Sequence, residues 1–202
     1  HSAHGYLLSE FLSPDINNRS DAWGGSLENR ARIHLEIINK CRKEVGEDFP
    51  ISVKLNSADF QKGGFSPDES IKVAQMLENA GVDIIEISGG TYEQPKLIGV
   101  EASINAKRSE KRKESTIARE AYFLEYAQDI RKAVSLPLMV TGGFRTREGI
   151  NDALQSNVCQ IVGIGRPLCA DPYCIKKMIS GELETLPSFE KTLSLGPSIL
   201  SP

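Results

Sequence analysis

Apolar residues recur along this chain at two spacings that alternate from segment to segment. From Ser26 to about Gly46 they return every three or four residues, which predicts an amphipathic helix. The short β-branched run Ile51–Leu55 follows and predicts a strand. The apolar stripe of the helix consists of Leu27, Ala31, His34, Ile38, Cys41 and Val45. Since His34 lies on this stripe, we expect a packed histidine rather than a ligand.

A second helix and strand follow with clear boundary signals. The run Ser66-Pro67-Asp68-Glu69 combines an N-cap serine, a first-turn proline and a glutamate three residues on, which predicts a capping box. Gly81 is typical of the end of that helix. The segment Val82–Ser88 then predicts the second strand.

The same alternation continues to the last third of the chain. A third helical stripe consists of Ile117, Ala121, Leu124, Ala127, Ile130 and Val134. We expect a third strand over Pro137–Thr141, a short helix over Thr146–Gln155 and a fourth strand over Gln160–Ile164. Asp171 and Pro172 predict the start of a last helix.

Strands that alternate with helices indicate parallel βαβ units. Four such strands, with the first six residues placed just past the end of a preceding one, predict half of a (β/α)₈ TIM barrel. Residues 1–202 would then be a single partial barrel domain. A doubly wound open sheet is the alternative from the pattern alone, but no Gly-x-Gly-x-x-Gly follows a strand to support it.

Composition limits the classes of partner. The chain has 202 residues, 40% of them hydrophobic, and a net charge of −3, which gives no reason to expect nucleic acid or an anionic membrane as partner. No apolar run is long enough to span a bilayer. The four cysteines show no paired metal spacing, so we expect reduced thiols in a cytoplasmic enzyme and no metal. Because the chain opens with His1 rather than Met, we expect upstream sequence to be missing.

Two histidines and a tyrosine crowd the first six residues, His1-Ser2-Ala3-His4-Gly5-Tyr6. A turn through Gly5 could aim all three rings into one cavity, where they offer two hydrogen-bond donors and one proton donor. Such a set suits a carbonyl or nitro oxygen that gains negative charge while a neighbouring carbon takes up a proton. An ordered but chemically idle terminus is the alternative.

Two glycine-rich runs follow the third and fourth strands. They read Thr141-Gly142-Gly143-Phe144-Arg145 and Gly163-Ile164-Gly165-Arg166-Pro167. Glycines let the backbone approach an anion closely, and the guanidinium group of Arg166 can bind two phosphate oxygens at once. The two runs together therefore predict a phosphate site. The alternative is that both are ordinary turns. Lys54 lies within the first strand, where an inward-facing charge needs a partner. A surface lysine is the alternative there.

The stretch after the hexapeptide supplies a resemblance. It reads Asn18-Arg19-Ser20-Asp21-Ala22-Trp23-Gly24-Gly25-Ser26-Leu27-Glu28-Asn29-Arg30 and, with the histidine pair and the tyrosine, resembles the signature of the old yellow enzyme family, the FMN-dependent NAD(P)H:flavin oxidoreductases and ene-reductases. Members of this family run to about twice this length. The resemblance therefore implies that this chain holds the later half of a (β/α)₈ barrel.

The resemblance also implies a cofactor and a role for each candidate residue. FMN would take hydride from NADH or NADPH and pass it to an electron-poor alkene. The implied phosphate ligands are Gly142, Gly143, Gly165 and Arg166. Lys54 stands where the family has a basic residue, often arginine, beside the flavin ring. His1 and His4 would donate hydrogen bonds to the substrate oxygen, and Tyr6 would give the proton to the α-carbon.

Several expectations concern the remaining sequence. The segment 89–115 is too long for an ordinary connection, and its basic run favours an active-site lid over a nuclear address. Asp21 and Arg30 are expected to brace their loop. Because the family's other flavin contacts lie upstream, the alternative function is a catalytically silent half-barrel that binds a partner or a phosphate-bearing ligand. A third interpretation is a partial gene product whose full-length form is the enzyme. A homo-oligomeric state of the protein also stays open.

Overall fold

The computed structural model describes residues 1–89 and 124–187 of the chain. Helices and strands alternate through both ranges. The strands are β1 (Ser52–Asn56), β2 (Ile84–Ser88), β3 (Leu138–Thr141) and β4 (Ile161–Gly163). The helices are α1 (Leu7–Leu12), α2 (Leu27–Val45), α3 (Pro67–Asn79), α4 (described over 124–133), α5 (Arg147–Gln155), α6 (Arg166–Ala170) and α7 (Cys174–Ser180).

The four strands form one parallel sheet in the order β1-β2-β3-β4, so neighbours in sequence are neighbours in space. A doubly wound sheet reverses its order at a switch point, whereas barrel strands follow one another. Ser2 pairs with Leu55 in the parallel direction, and its N–H donates to the carbonyl of Lys54 at 2.9 Å. The hexapeptide therefore lies beside β1, where a preceding strand would pair, and the predicted partial barrel is confirmed.

Side chains alternate between the two faces of this sheet, as they must in extended strands. One face packs against the helices and forms the core. Its buried strand residues are Val53, Leu55, Ile85, Ile87, Leu138 and Val140. The opposite face of β1 and β2 carries Lys54, Asn56, Glu86 and Ser88. A polar surface thus develops toward the carboxyl ends of the strands.

Local signals set the helix boundaries as predicted. The Ser26 side chain accepts a hydrogen bond from the Asn29 N–H, and Gly46 ends α2 at a φ of 81°. Both halves of the capping box between Ser66 and Glu69 are present at α3.

The predicted stripe of α2 is too long. Ala31, His34 and Ile38 are buried, but Cys41 is exposed and Val45 is 43% exposed. The apolar period of α2 continues to Val45, but the described residues do not bury the last turns of the helix. Amphipathicity alone therefore overestimates how much of α2 is buried.

Three other differences concern short elements. The helices α1 and α6 were not predicted, because six and five residues are too few to show a helical period. The last helix begins at Cys174 rather than at Asp171. Asp171 instead ties the preceding turn: one carboxylate oxygen accepts from the Tyr173 N–H at 2.8 Å, and the other pairs with Lys177 at 2.7 Å.

Some expectations fall outside the described residues. These are the segment 89–115, apart from Gly89, and the first part of the third stripe, Ile117 and Ala121. In the described part of that stripe, Ala127, Ile130 and Val134 are buried, as predicted. Among the described helices, none combines the length and hydropathy needed to cross a bilayer.

Candidate active site

A tight turn brings the hexapeptide to the polar end of the sheet. His4 has a φ of 65° and Gly5 a φ of 78°, both in the left-handed region that costs energy for a residue with a side chain. The turn is held by β1, since the His4 N–H donates to Oδ1 of Asn56 at 3.0 Å. It leads directly into α1, whose Glu10 N–H donates to the carbonyl of Tyr6 at 3.0 Å.

The three rings of this turn form one cluster. The ring centres of His1 and His4 lie 5.2 Å apart with an interplanar angle of 85°. Those of His1 and Tyr6 lie 5.1 Å apart at 65°. Tyr6 remains 46% exposed, which leaves its ring accessible. The clustering that Gly5 predicts is therefore confirmed.

The hydrogen bonds of His1 indicate its tautomer. Its Nδ1 accepts from the Ala3 N–H at 3.3 Å. A neutral imidazole that accepts at Nδ1 carries its proton at Nε2. His1 therefore carries its N–H donor at Nε2.

His4 is held neutral by its surroundings. Burial, and then the nearby Lys54 ammonium, lower its pKa to about 4, while the Glu86 carboxylate acts in the opposite direction. Its Nε2 lies 2.7 Å from Oγ of Ser88, a side chain that is 2% exposed. At neutral pH His4 is thus an uncharged ring with one nitrogen engaged by β2.

Lys54 has a protein partner. Its Nζ lies 2.8 Å from Oε1 of Glu86, which stands directly opposite it in the register of β1 and β2. Both side chains are about one-fifth exposed, at 23% and 18%. From the sequence we expected Lys54 to need a partner, and the family resemblance gave that role to a flavin. Glu86 was not predicted. Only the strand register, which no local pattern displays, reveals this pair.

The Lys54–Glu86 pair predicts opposite effects on His4. We expect Lys54→Gln to raise the pKa of His4, because a cation that disfavours imidazolium is lost, and Glu86→Gln to lower it further. An NMR pH titration of the histidine rings measures both. His34 is the internal control, since burial also lowers its pKa to about 4 and neither Lys54 nor Glu86 contributes. Shifts of the same sign in the two variants would contradict the assignment.

His34 is the packed histidine that its position on the α2 stripe predicted. It is 3% exposed, and its Nε2 lies 2.5 Å from Oγ of Ser2. This contact ties the hexapeptide to α2, as the Ser2 backbone ties it to β1. His34 thereby supports the site without facing it.

Arg30 braces the loop, as expected. Its side chain is 4% exposed, donates to the carbonyls of Gly25 and Leu12, and pairs with Glu69. Asp21 accepts from the Trp23 N–H at 3.1 Å and pairs with Arg19. The polar residues of the signature stretch therefore fix the connection between α1 and α2.

The loops after β3 and β4 leave the same edge of the sheet as the ring cluster, because all four strands are parallel. Gly142 and Gly143 have φ values of 128° and 85°, which favour glycine. Gly165 is exposed and precedes Arg166, the exposed first residue of α6. Three of the four predicted phosphate ligands thus lie in the loops after β3 and β4, and Arg166 lies at the start of α6.

A hydroxyl that sequence reasoning missed lies at the end of β3, directly before the first of these loops. Thr141 Oγ1 is buried, and it has no hydrogen-bond partner within the described ranges. A Cβ at Gly163 would meet this oxygen at 1.9 Å, so only glycine permits the close approach of β4. A threonine at the end of a strand is common and gives no signal of this role by itself.

Comparison with known proteins identifies the family. A sequence model of the "NADH:flavin oxidoreductase / NADH oxidase family" matches residues 1–184. The chain belongs to this family. The predicted family and fold class are therefore confirmed, and membership implies FMN as cofactor and NADH or NADPH as reductant.

Relatives in this family include fungal and bacterial enzymes. The chain is 39% identical over 184 residues to the NADH-dependent flavin oxidoreductase iliE of Hypocrea jecorina, covering 89% of this chain and 43% of that protein. It is 36% identical over 182 residues to the NADH oxidase of Thermoanaerobacter brockii, covering 90% of this chain and 26% of that protein. The chain thus spans less than half the length of these curated relatives.

Solved structures share the architecture. A 2-naphthoyl-CoA reductase in complex with 2-naphthoyl-CoA superposes with a TM-score of 0.76 at 34% identity, over 92% of this chain and 26% of that one. The old yellow enzyme homologue of Zymomonas mobilis gives a TM-score of 0.66 at 23% identity, over 98% of this chain and 50% of that one. The second likeness supports the fold alone.

Proposed function

We propose that this chain forms the substrate and phosphate side of an FMN-dependent oxidoreductase. The enzyme passes hydride from NADH or NADPH to an electron-poor alkene, an α,β-unsaturated carbonyl or nitro compound. The observation that carries the proposal is the cluster of His1, His4 and Tyr6 at the carboxyl end of the sheet. The rings of His4 and Tyr6 lie 5.2 and 5.1 Å from that of His1, and two N–H donors beside a phenol suit that reaction.

The residues at this edge fit a flavin mononucleotide. The buried Thr141 hydroxyl lacks a partner among the described residues, and the adjacent glycine loops let a phosphate approach the backbone. Gly142, Gly143, Gly165 and Arg166 would hold the phosphate. Lys54 would lie near the flavin ring while it keeps its ion pair with Glu86. When bound, FMN supplies the hydride.

Each member of the ring cluster has a distinct task. His1 donates from Nε2, and His4 donates from its free ring nitrogen, to the substrate oxygen, which stabilises the negative charge that develops there. The phenol of Tyr6 donates the proton to the α-carbon, since its high intrinsic pKa matches a strongly basic carbanion. Neutral His4 has only one proton to donate, so its tautomer matters.

Double-mixing absorbance measurements on the full-length, FMN-loaded protein test this function. Under anaerobic conditions NADH or NADPH should bleach the flavin. A second mix with 2-cyclohexenone should restore the oxidised spectrum, whereas cyclohexanone, which has the same carbonyl but no alkene, should not. Equal reoxidation by both ketones, or by neither, would contradict an alkene substrate.

A further inference from the structure

His4 is held at two points, its backbone by the end of β1 and its ring by the end of β2. Oδ1 of Asn56 accepts from the backbone N–H of His4 at 3.0 Å, and Ser88 Oγ lies 2.7 Å from the ring Nε2 of His4. Ser88 is itself tied down, because its carbonyl accepts from the Ser57 N–H at 2.6 Å. Within residues 1–89 and 124–187, Nδ1 of His4 has no hydrogen-bond partner. Nδ1 is therefore the ring nitrogen left for a substrate.

The burial of Ser88 decides the direction of this hydrogen bond. The side chain is 2% exposed, and its hydroxyl hydrogen has one acceptor among the described residues, Nε2 of His4. If Nε2 carried the proton, the serine hydroxyl would keep a buried hydrogen without an acceptor, which is costly. The favoured arrangement has Ser88 donating to Nε2. A neutral imidazole that accepts at Nε2 carries its proton at Nδ1.

We propose that Ser88 is a positioning residue that sets the tautomer of His4, so that Nδ1–H faces the substrate oxygen. The proposal rests on the proposed function for the identity of that oxygen, but the tautomer stands on the contacts alone. The adjoining His1 is fixed in the opposite sense, as its Nδ1 accepts from the Ala3 N–H and its Nε2 carries the proton. The two imidazoles thus donate from different ring atoms, each set by a different part of the chain.

Long-range ¹H–¹⁵N spectra of the full-length protein with ¹⁵N-labelled histidine test the assignment without flavin or substrate. Protonated and unprotonated ring nitrogens have well-separated ¹⁵N shifts, and the His4 signals are identified by their loss in His4→Gln. The unmodified protein should show Nδ1 protonated. Ser88→Ala should move part of the proton to Nε2, and Ser88→Thr, which keeps the hydroxyl, should restore the original pattern.

Ser57→Ala is the matched control, because Ser57 is 1% exposed and its hydroxyl has no partner in the described part of the chain. It should leave the His4 tautomer unchanged. Ser88→Cys, close in size but a weak donor, replaces Ser88→Ala if the alanine variant does not fold. A proton on Nε2 in the unmodified protein, or an unchanged pattern in Ser88→Ala (or in Ser88→Cys where that variant replaces it), would overturn the proposal.

A kinetic readout separates the two proposals. In the FMN-loaded enzyme, Ser88→Ala should lower kcat for the enone about tenfold and leave flavin reduction by NAD(P)H unchanged. If the enzyme reduces no alkene at all, the proposed function fails while the ¹⁵N pattern still decides the role of Ser88. An equal loss in both half-reactions would contradict a role confined to His4.

Discussion

Replacement of Tyr6 by phenylalanine is expected to slow enone reduction by about 10²–10⁴-fold, the usual contribution of a positioned general acid. The phenol of Tyr6 is a neutral acid that can protonate a carbanion, whereas both imidazoles are assigned to the substrate oxygen. Phenylalanine keeps the ring that lies 5.1 Å from His1 and removes only the hydroxyl. The cluster should therefore stay packed while proton delivery is lost.

Double-mixing stopped-flow measurements separate the two half-reactions of this variant. Bleaching of the flavin by NAD(P)H should keep its rate, since no proton from Tyr6 enters that step. Tyr173→Phe is the matched control, because this tyrosine is 67% exposed and lies in the turn before α7. Equal losses in both half-reactions of the Tyr6 variant would count against a proton-donor role.

Arg166→Gln is expected to weaken FMN binding by about 10- to 100-fold, as removal of charge-assisted hydrogen bonds to a phosphate does. Affinity for riboflavin, which has the same ring but no phosphate, should change little. The FMN affinity of Arg166→Lys should lie between those of the unmodified protein and Arg166→Gln, since lysine keeps the positive charge but cannot bind two phosphate oxygens in the way a guanidinium group does. Fluorescence titration of the apoprotein with each flavin measures these affinities.

Lys176→Gln provides the control for this series. Lys176 is an exposed residue of α7, so its removal changes the net charge by the same amount without touching the glycine loops. A similar loss of FMN affinity in this variant would assign the effect to long-range charge. A parallel loss of riboflavin affinity in Arg166→Gln would place Arg166 away from the phosphate.

Local signals in the sequence predicted most of the elements. The Ser66–Glu69 capping box and the glycine at position 46 fix helix ends through contacts within one turn, so they can be read without the fold. The stripe of α2 was overestimated at Cys41 and Val45, because a helical period does not report where the covering elements stop. The start of α7 was predicted too early, because Asp171 caps the turn before the helix rather than the helix itself.

The site was predictable only as far as its parts are contiguous. The glycine at position 5 places three rings within one turn, which the sequence displays directly. Asn56, Ser88 and Glu86 lie on other strands, and their contacts with His4 and Lys54 depend on strand order and register. Those are properties of the packed sheet, which residue spacing along the chain does not contain.

Binding of one flavin across the carboxyl ends of these strands is tested most directly by titrating the full-length apoprotein with FMN while both flavin absorbance and the His4 ring signals are recorded. We predict saturable one-to-one binding, with the absorbance change and the His4 shifts following the same curve. A folded protein that takes up no FMN, or one that binds FMN while the His4 signals stay unmoved, would contradict a flavin site formed by these residues.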